Sequence, residues 1–443
     1  MPRGIAIIEP RQHLLTAAEH VIVTAGPGHL TSRAVTQQAG VATGLLFKHF
    51  RNFDDFLIGY AVDRTFQLTT TLTGLPALVG TGTVATNLSD MIHTTPMITL
   101  HTHPPARRQT GTHRDPRGLT SSSGGDCLLS TGMSVVVIGA GVIGLTVAHE
   151  LAVAGHRVRV VADRDAAHSV SAVAAAIWFP HAVTLESDVL ESGRVGYERL
   201  ARLAETAGTG VVMRPGLVRV RRAGADLSWT DAVPGYERVA DGVRCRVPVA
   251  DTSHYLAWLT ARVAALGVEF TVATVRPAEP GPDALVEAVA RIGGEEPDTV
   301  VVAAGLGSGA LLGDGETYPI RGQVVRLANP GLTEWITDED NPGGLTYVVP
   351  RSGDVVCGGT GQAGDWNETV DPGAEEAILR RVYALVPELR GQPVLSRAVG
   401  LRPARTRRSL ERTGRVVTCY GHGGSGFTLS WGDAARVADL LAA

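Results

Sequence analysis

A chain of 443 residues with formal net charge −4, 44% hydrophobic and 19% charged residues has the make-up of a globular protein of two or three domains. That charge argues against bulk attraction to nucleic acid or to an anionic membrane, and no apolar run approaches the length of a bilayer span. The 40 basic residues include a single lysine, Lys48, so residues 133–443 lack the amine that a P-loop or a pyridoxal-phosphate site requires.

The first residues, "MPRGIAIIEPRQ", carry Glu9 and Arg11 where a signal peptide needs an unbroken apolar core. Cys127, Cys245, Cys357 and Cys419 are far apart with no C-x-x-C pair. Both observations point to a cytoplasmic protein without a disulfide framework or a structural metal.

Residues 10–64 are helix-patterned. In "RQHLLTAAEH", Leu14, Ala17 and Ala18 fall on one helical face. "LTSRAVTQQAGVATGLLFKHF" then reads as a crossing helix, an "AGVA" turn and a short second helix ending at Phe50. This stretch resembles the helix-turn-helix of TetR-type repressors, which implies DNA contact through Thr43, Lys48 and His49. A small helical bundle that binds no DNA is the alternative. Phe53 stands where that family usually has a lysine, residues 1–132 hold ten basic and eight acidic side chains, and no large dimerising helices follow. Residues 65–132 drift into Thr/Gly/Pro/Ser-rich text and are expected to form a poorly ordered linker. His93, His101 and His103 lie there without acidic or cysteine partners, so a solvated tract is expected rather than a metal site.

At Met133 the texture changes to regular β/α punctuation. "SVVVIGAGVIG" is an apolar strand running into Gly139-x-Gly141-x-x-Gly144; an amphipathic helix and a second strand, "RVRVV", follow, and the strand leads to Asp163. In a dinucleotide site the first glycine permits the tight turn, the second lets backbone approach the pyrophosphate, and the third lets helix pack on strand. The helix N-terminus offers free N–H groups to the phosphates, and the acid after the second strand binds ribose hydroxyls. This motif alone does not separate NAD from FAD. The C-terminal "VVTCYGHGGSGFTLSWGDAARVADLLAA" does: a second glycine-rich turn opens a closing helix, and its positive dipole end suits the anionic edge of a reduced flavin.

Four stretches carry a further resemblance: "VVVIGAGVIGL", "VVADRDAAHSVSAVAAAIWFPH", "LTYVVPRSGDVVCGGTGQAGDWNE", and "VGLRPARTRRSLER" followed by "YGHGGSGFTLSWG". Residues 133–443 resemble the FAD-dependent D-amino-acid oxidase family, which includes D-aspartate oxidase. The fold this implies is α/β: a Rossmann-like FAD domain, from 133–180 plus later segments and 396–443, with an inserted mixed or antiparallel-sheet substrate domain. A small all-α helix-turn-helix module, 1–64, precedes it. The resemblance implies that Arg402 and Tyr347 hold the substrate carboxylate and that the Gly424 carbonyl meets the substrate amine. It assigns the pyrophosphate and ribose contacts to Ala140, Val142, Ile143, Asp163 and Arg164, beside the three glycines. Ser169, Ser171 and Ala175, Ala176, Ile177 match the segment passing the flavin, and Val275 the residue near the adenine. Gly423, Gly424, Ser425, Gly426 and Thr428 match the loop around the flavin ring. "GLRP" is expected in a strand-like turn ahead of its proline.

The implied reaction moves a hydride from the α-carbon of a D-amino acid to flavin. The imino acid then hydrolyses to a 2-oxo acid and ammonia, and O2 becomes hydrogen peroxide. No side-chain base stands out, and none is required if the amine arrives unprotonated. "DEDNPGGLTY" lacks the second tyrosine of the family's lid, and Arg351 and Arg405 remain candidates for a side-chain carboxylate. Open alternatives are an FAD amine oxidase of glycine or D-aspartate type, and a DNA-binding regulator with a flavin sensor domain. A homodimer is one option for the assembly.

Overall fold

The computed structural model describes residues 13–18, 21, 30–50, 52, 53, 56, 60 and 132–442. The chain divides into two compact units, Met1–Ser122 and Ser123–Ala443. The linker expected over 65–132 lies outside the described residues, except for its last position.

In the first unit, helices Ser32–Gln38 and Thr43–His49 flank a turn in which Gly40 takes φ +66°. Thr31 caps the first of them by accepting from the Ala34 amide at 3.1 Å. Leu14, Ala17 and Ala18 are buried with Val35, Leu46, Phe50 and Phe56 in one small core. Phe53 stacks on Phe56, centroids 5.5 Å apart, which accounts for an aromatic at that position. Lys48 and His49 are exposed; the side chain of Thr43 lies outside the described residues.

The strands of the second unit are, in chain order, β1 (Ser134–Ile138), β2 (Arg157–Ala162), β3 (Val211–Arg219), β4 (Glu237–Val239), β5 (Gly242–Ala250), β6 (Glu269–Val272), β7 (Thr299–Val302), β8 (Tyr318–Ala328), β9 (Trp335–Asp338), β10 (Thr346–Pro350), β11 (Asp354–Gly358), β12 (Gln362–Ala363), β13 (Val394–Ser409), β14 (Arg412–Thr413), β15 (Val416–Thr418) and β16 (Tyr420–His422). One sheet has the order β14-β15-β7-β1-β2-β6 and is parallel except at β14. Its central strands, "SVVVI" and "TVVV", are apolar runs buried on both faces, which is what a helix-covered parallel sheet demands. The chain leaves β1 towards β2 and later returns to its other side as β7. The carboxyl ends of β1, β2 and β7 therefore flank a topological switch point, where such sheets bind ligands.

The other sheet runs β16-β13-β8-β11-β10-β9-β3-β5-β4, with β12 added on β8, and is antiparallel except for the β3–β9 pair. It is the mixed sheet expected of the substrate lobe. Within 396–443, β13 and β16 belong to this sheet, while β14 and β15 join the parallel one. Helix Gly426–Ala442 packs on helices Val142–Val153 and Ser187–Ala204, burying Trp431, Ala434 and Val437.

One local expectation is corrected. Arg402 and Pro403 lie in mid-strand, paired with Ile320 and Pro319 of β8, rather than in a turn. A proline normally demotes a strand to an edge. Here the neighbouring β16 stops at His422, opposite Ala404, so no strand on that side needs a donor from Pro403. Its carbonyl accepts from the Gly423 amide at 2.8 Å.

Candidate active site

A cavity of about 640 Å³ opens where β1, β2 and β7 end, walled there by Gly139, Asp163 and Ala303. Gly139 has φ +115°, and a Cβ on it would lie 2.3 Å from the Ala303 carbonyl oxygen. A Cβ on Gly144 would lie 1.9 Å from the Gly139 carbonyl oxygen. Both positions therefore require glycine, one for the turn and one for helix-on-strand packing. Gly141 caps helix Val142–Val153 without a side-chain bond, and Ser171 Oγ accepts from the Val142 amide at 3.0 Å. Arg164 donates to the Asp163 carboxylate at 2.9 and 3.2 Å and holds it below the usual carboxylate range, against the effect of its partial burial.

Ala140, Gly141, Val142, Ile143 and Arg164 all line the cavity, as do Ser169 and Ser171. So do Ala175, Ala176, Ile177 and Val275, with Ala176 in a left-handed conformation at φ +53°. Gly423, Gly424 and Gly426 complete that wall. Three expected contacts sit behind it. Gly144 is under the Gly139 turn; Ser425 Oγ donates to the His181 carbonyl at 2.8 Å; Thr428 Oγ1 donates to the Phe179 carbonyl at 2.9 Å and accepts from its amide at 3.0 Å. Their hydroxyls are used to join the Phe179–Ala182 segment to the closing helix.

Arg402 and Tyr347 reach the same cavity from the mixed sheet. Each lies flat over a glycine. A Cβ on Gly322 would fall 2.4 to 2.5 Å from the Arg402 guanidinium atoms, and one on Gly358 would fall 2.0 Å from Tyr347 Cζ. Gly358 is the residue directly opposite Tyr347 on β11, and Gly322 is two positions from Arg402's partner on β8. Bare sheet under two polar side chains turns both towards the cavity. Arg402 Nη1 donates to the Thr360 carbonyl at 3.0 Å. Burial pushes the Tyr347 phenol above its usual pKa, and Arg402 beside it pulls part of that shift back.

Arg351 and Arg405, the candidates for a side-chain carboxylate, do not line the cavity. Arg351 donates to Asp354 at 2.5 and 2.7 Å, and Arg405 donates to Asp314 at 2.8 Å. Both charges are already matched.

The FAD dependent oxidoreductase family model matches residues 134–440. The chain belongs to that family. FAD is its cofactor, and the clash-limited glycines after β1, leading into a helix N-terminus whose Gly141 cap has no side chain, fit a pyrophosphate, with the Val142 amide already taken by Ser171 Oγ. The chain is 42% identical over 323 residues to the D-amino-acid oxidase of Rubrobacter xylanophilus, covering 70% of this chain and 95% of that protein. It is 37% identical to the D-amino-acid oxidase of Streptomyces coelicolor, covering 69% and 96%, and 29% identical to human D-aspartate oxidase, covering 69% and 94%. Its fold is similar to that of glycine oxidase from Geobacillus kaustophilus, with a TM-score of 0.58, 21% identity, and coverage of 70% of this chain and 94% of that one. Residues 14–58 match the model of bacterial regulatory proteins of the tetR family.

In this FAD-dependent oxidoreductase several cavity features escaped the sequence. Glycines inside strand patterns signal close approach, and "IRGQVV" and "VCGGTG" carried that signal for Gly322 and Gly358. His181, Glu339 and His422 gave none, yet all three line the cavity. His181 Nδ1 is bonded to Glu339 Oε1. His422 Nε2 is 2.9 Å from Asp433, whose carboxylate also accepts from Arg408 at 3.0 and 3.2 Å. Burial raises the Asp433 carboxyl, but His422 and Arg408 more than reverse that, so it stays ionised inside the core.

Proposed function

We propose that the protein oxidatively deaminates D-amino acids, giving a 2-oxo acid, ammonia and hydrogen peroxide. The observation that carries this is the convergence of Arg402 and Tyr347 on the cavity that the Gly139–Ile143 cradle also walls. A guanidinium fork and a neutral phenol together suit an α-carboxylate, one by charge-assisted bonds and the other by donating its proton. The chirality is supported by relatives named D-amino-acid oxidase at 42% and 37% identity.

FAD, when bound, would supply the two-electron acceptor for the hydride of the substrate's α-carbon–hydrogen bond and the route for those electrons to O2, while the amine nitrogen gives up a proton. Gly139, Gly141 and the amides of the following helix would hold its pyrophosphate, Asp163 a ribose, and the Gly423–Gly426 turn its ring edge. Arg402 fixes the carboxylate and therefore the direction of the α-carbon, which is orientation rather than proton transfer. Tyr347 keeps its proton at working pH and so remains a donor. Nothing in this scheme needs a side-chain base if the amine arrives unprotonated.

The test is peroxide release by the FAD-loaded protein against matched D- and L-amino acids and glycine. Turnover of D-amino acids above their L-enantiomers is expected. Preference for glycine or for L-amino acids would replace the proposal.

A further inference from the structure

The substrate end of the cavity has a rim that can be followed residue by residue. Arg402 sits beside Tyr347, and Tyr347 pairs across β9–β10 with Thr337. Glu339 lies two residues beyond Thr337 and is bonded to His181. His181 in turn crowds Gly424, where a Cβ would fall 2.3 Å from His181 Cδ2. A substrate anchored through its carboxylate at Arg402 and Tyr347 has this rim for the rest of its length.

Two polar groups on the rim have bonding capacity to spare. Thr337 Oγ1 is buried and has no hydrogen-bond partner among the described residues. A buried hydroxyl without a partner is costly unless something else satisfies it. Glu339 Oε1 is taken by His181, while Oε2 has no partner among the described residues. Among the described residues the guanidinium groups that line the cavity are Arg402, already assigned to the α-carboxylate, and Arg164, so none is left there for a second anion. Arg351 and Arg405 are off the cavity in their own ion pairs, and Arg164, which does line it, is bonded to Asp163.

We infer, resting on the reaction proposed above, that Glu339 with Thr337 forms a side-chain subsite selecting D-amino acids with a cationic or donor-bearing side chain, such as D-arginine, over acidic ones. The selection is two-sided. A guanidinium finds a carboxylate oxygen and a hydroxyl as acceptors, whereas a second substrate carboxylate meets Glu339 with no cation to offset it. His181 is a positioning residue: its bond to Oε1 aims the carboxylate. Glu339 is 38% exposed, so the attraction is that of a partly solvated ion pair and changes substrate affinity more than the chemical step.

The experiment uses the FAD-loaded full chain and measures peroxide release with D-arginine, D-methionine and D-glutamate, which differ in side-chain charge, and compares each variant with wild type on the same substrate so that the greater length of D-arginine cancels. Wild type is expected to favour D-arginine over D-glutamate. Glu339→Gln keeps the size and the acceptor for His181 but removes the charge. It should lower kcat/KM for D-arginine about fivefold, mostly through KM, and leave D-methionine within about twofold. Glu339→Arg should reverse the order of D-arginine and D-glutamate. An unchanged D-arginine to D-methionine ratio in Glu339→Gln, or equal loss on both, overturns the subsite and leaves the reaction standing. Failure to oxidise even D-methionine overturns the reaction and the subsite together.

Discussion

At the nucleotide end of the cavity the glycine turn, its helix and Asp163 come from one stretch, Ser134 to Arg164, whereas the other end sets Arg402 and Tyr347 over Gly322 and Gly358, four residues on four strands. The first is a local device: strand, glycine turn and helix follow each other in the chain, and each glycine answers a contact with its near neighbours or the adjacent strand. The second exists only once β8, β10, β11 and β13 are in register. A slip of one residue would turn Arg402 and Tyr347 to the other face of the sheet. Local construction tolerates change elsewhere in the protein; assembled construction depends on all four strands at once.

That contrast can be probed in order of expected effect. Arg402→Leu strikes the assembled end alone. Loss of the charge-assisted fork should cost about 3 kcal/mol in kcat/KM, roughly a hundredfold, with flavin content near wild type. Parallel loss of flavin would show that the two ends are not separable.

Gly144→Ala strikes the local end. Its Cβ, 1.9 Å from the Gly139 carbonyl, has to push helix from strand, and overpacking of this kind costs about 1–3 kcal/mol. Weaker FAD retention and a lower Tm are expected, read by absorbance and thermal melting. Retention equal to wild type would mean the turn can relax.

Acid should loosen the assembled end through Asp314. Its carboxyl is held down to about 2: burial acts to raise it, but the Glu316 amide, Arg405, Thr317 and Tyr420 outweigh that. A depressed folded pKa gives stability that is present above the ordinary value of 3.8 and lost as pH falls towards about 2. The amount is on the order of 2 kcal/mol. Because Arg405 and Tyr420 belong to β13 and β16, wild type should lose Tm over that window more steeply than Asp314→Asn. Identical slopes would remove Asp314 from the account.

The smallest effect is expected from deleting residues 1–132. The motif glycines, Arg402 and Tyr347 all come later in the chain, so FAD binding, oxidase rate and Tm should stay near those of the full chain. A gel shift of the full-length protein should show only weak, salt-sensitive DNA binding, because ten basic against eight acidic side chains leave few phosphate contacts. Tight binding of a specific duplex that changes on flavin reduction would favour the regulator alternative.

The sequence by itself determined the nucleotide end, because spacing of glycines, apolar runs and a terminal acid is a property of neighbouring residues. Through resemblance it also pointed to Arg402 and Tyr347, which both line the cavity, and through helical periodicity to the buried face of Leu14, Ala17 and Ala18. Only the tertiary structure decided that Arg402 stands in mid-strand, since the tolerance for Pro403 depends on where β16 stops. Only it placed Ser425 and Thr428 behind the cavity wall, their hydroxyls turned to backbone across more than two hundred residues of chain. It likewise placed Arg351 and Arg405 in ion pairs off the cavity and put Glu339 and His181 on the cavity wall. Which charge is already matched is a question about partners, and partners distant in sequence are chosen by packing.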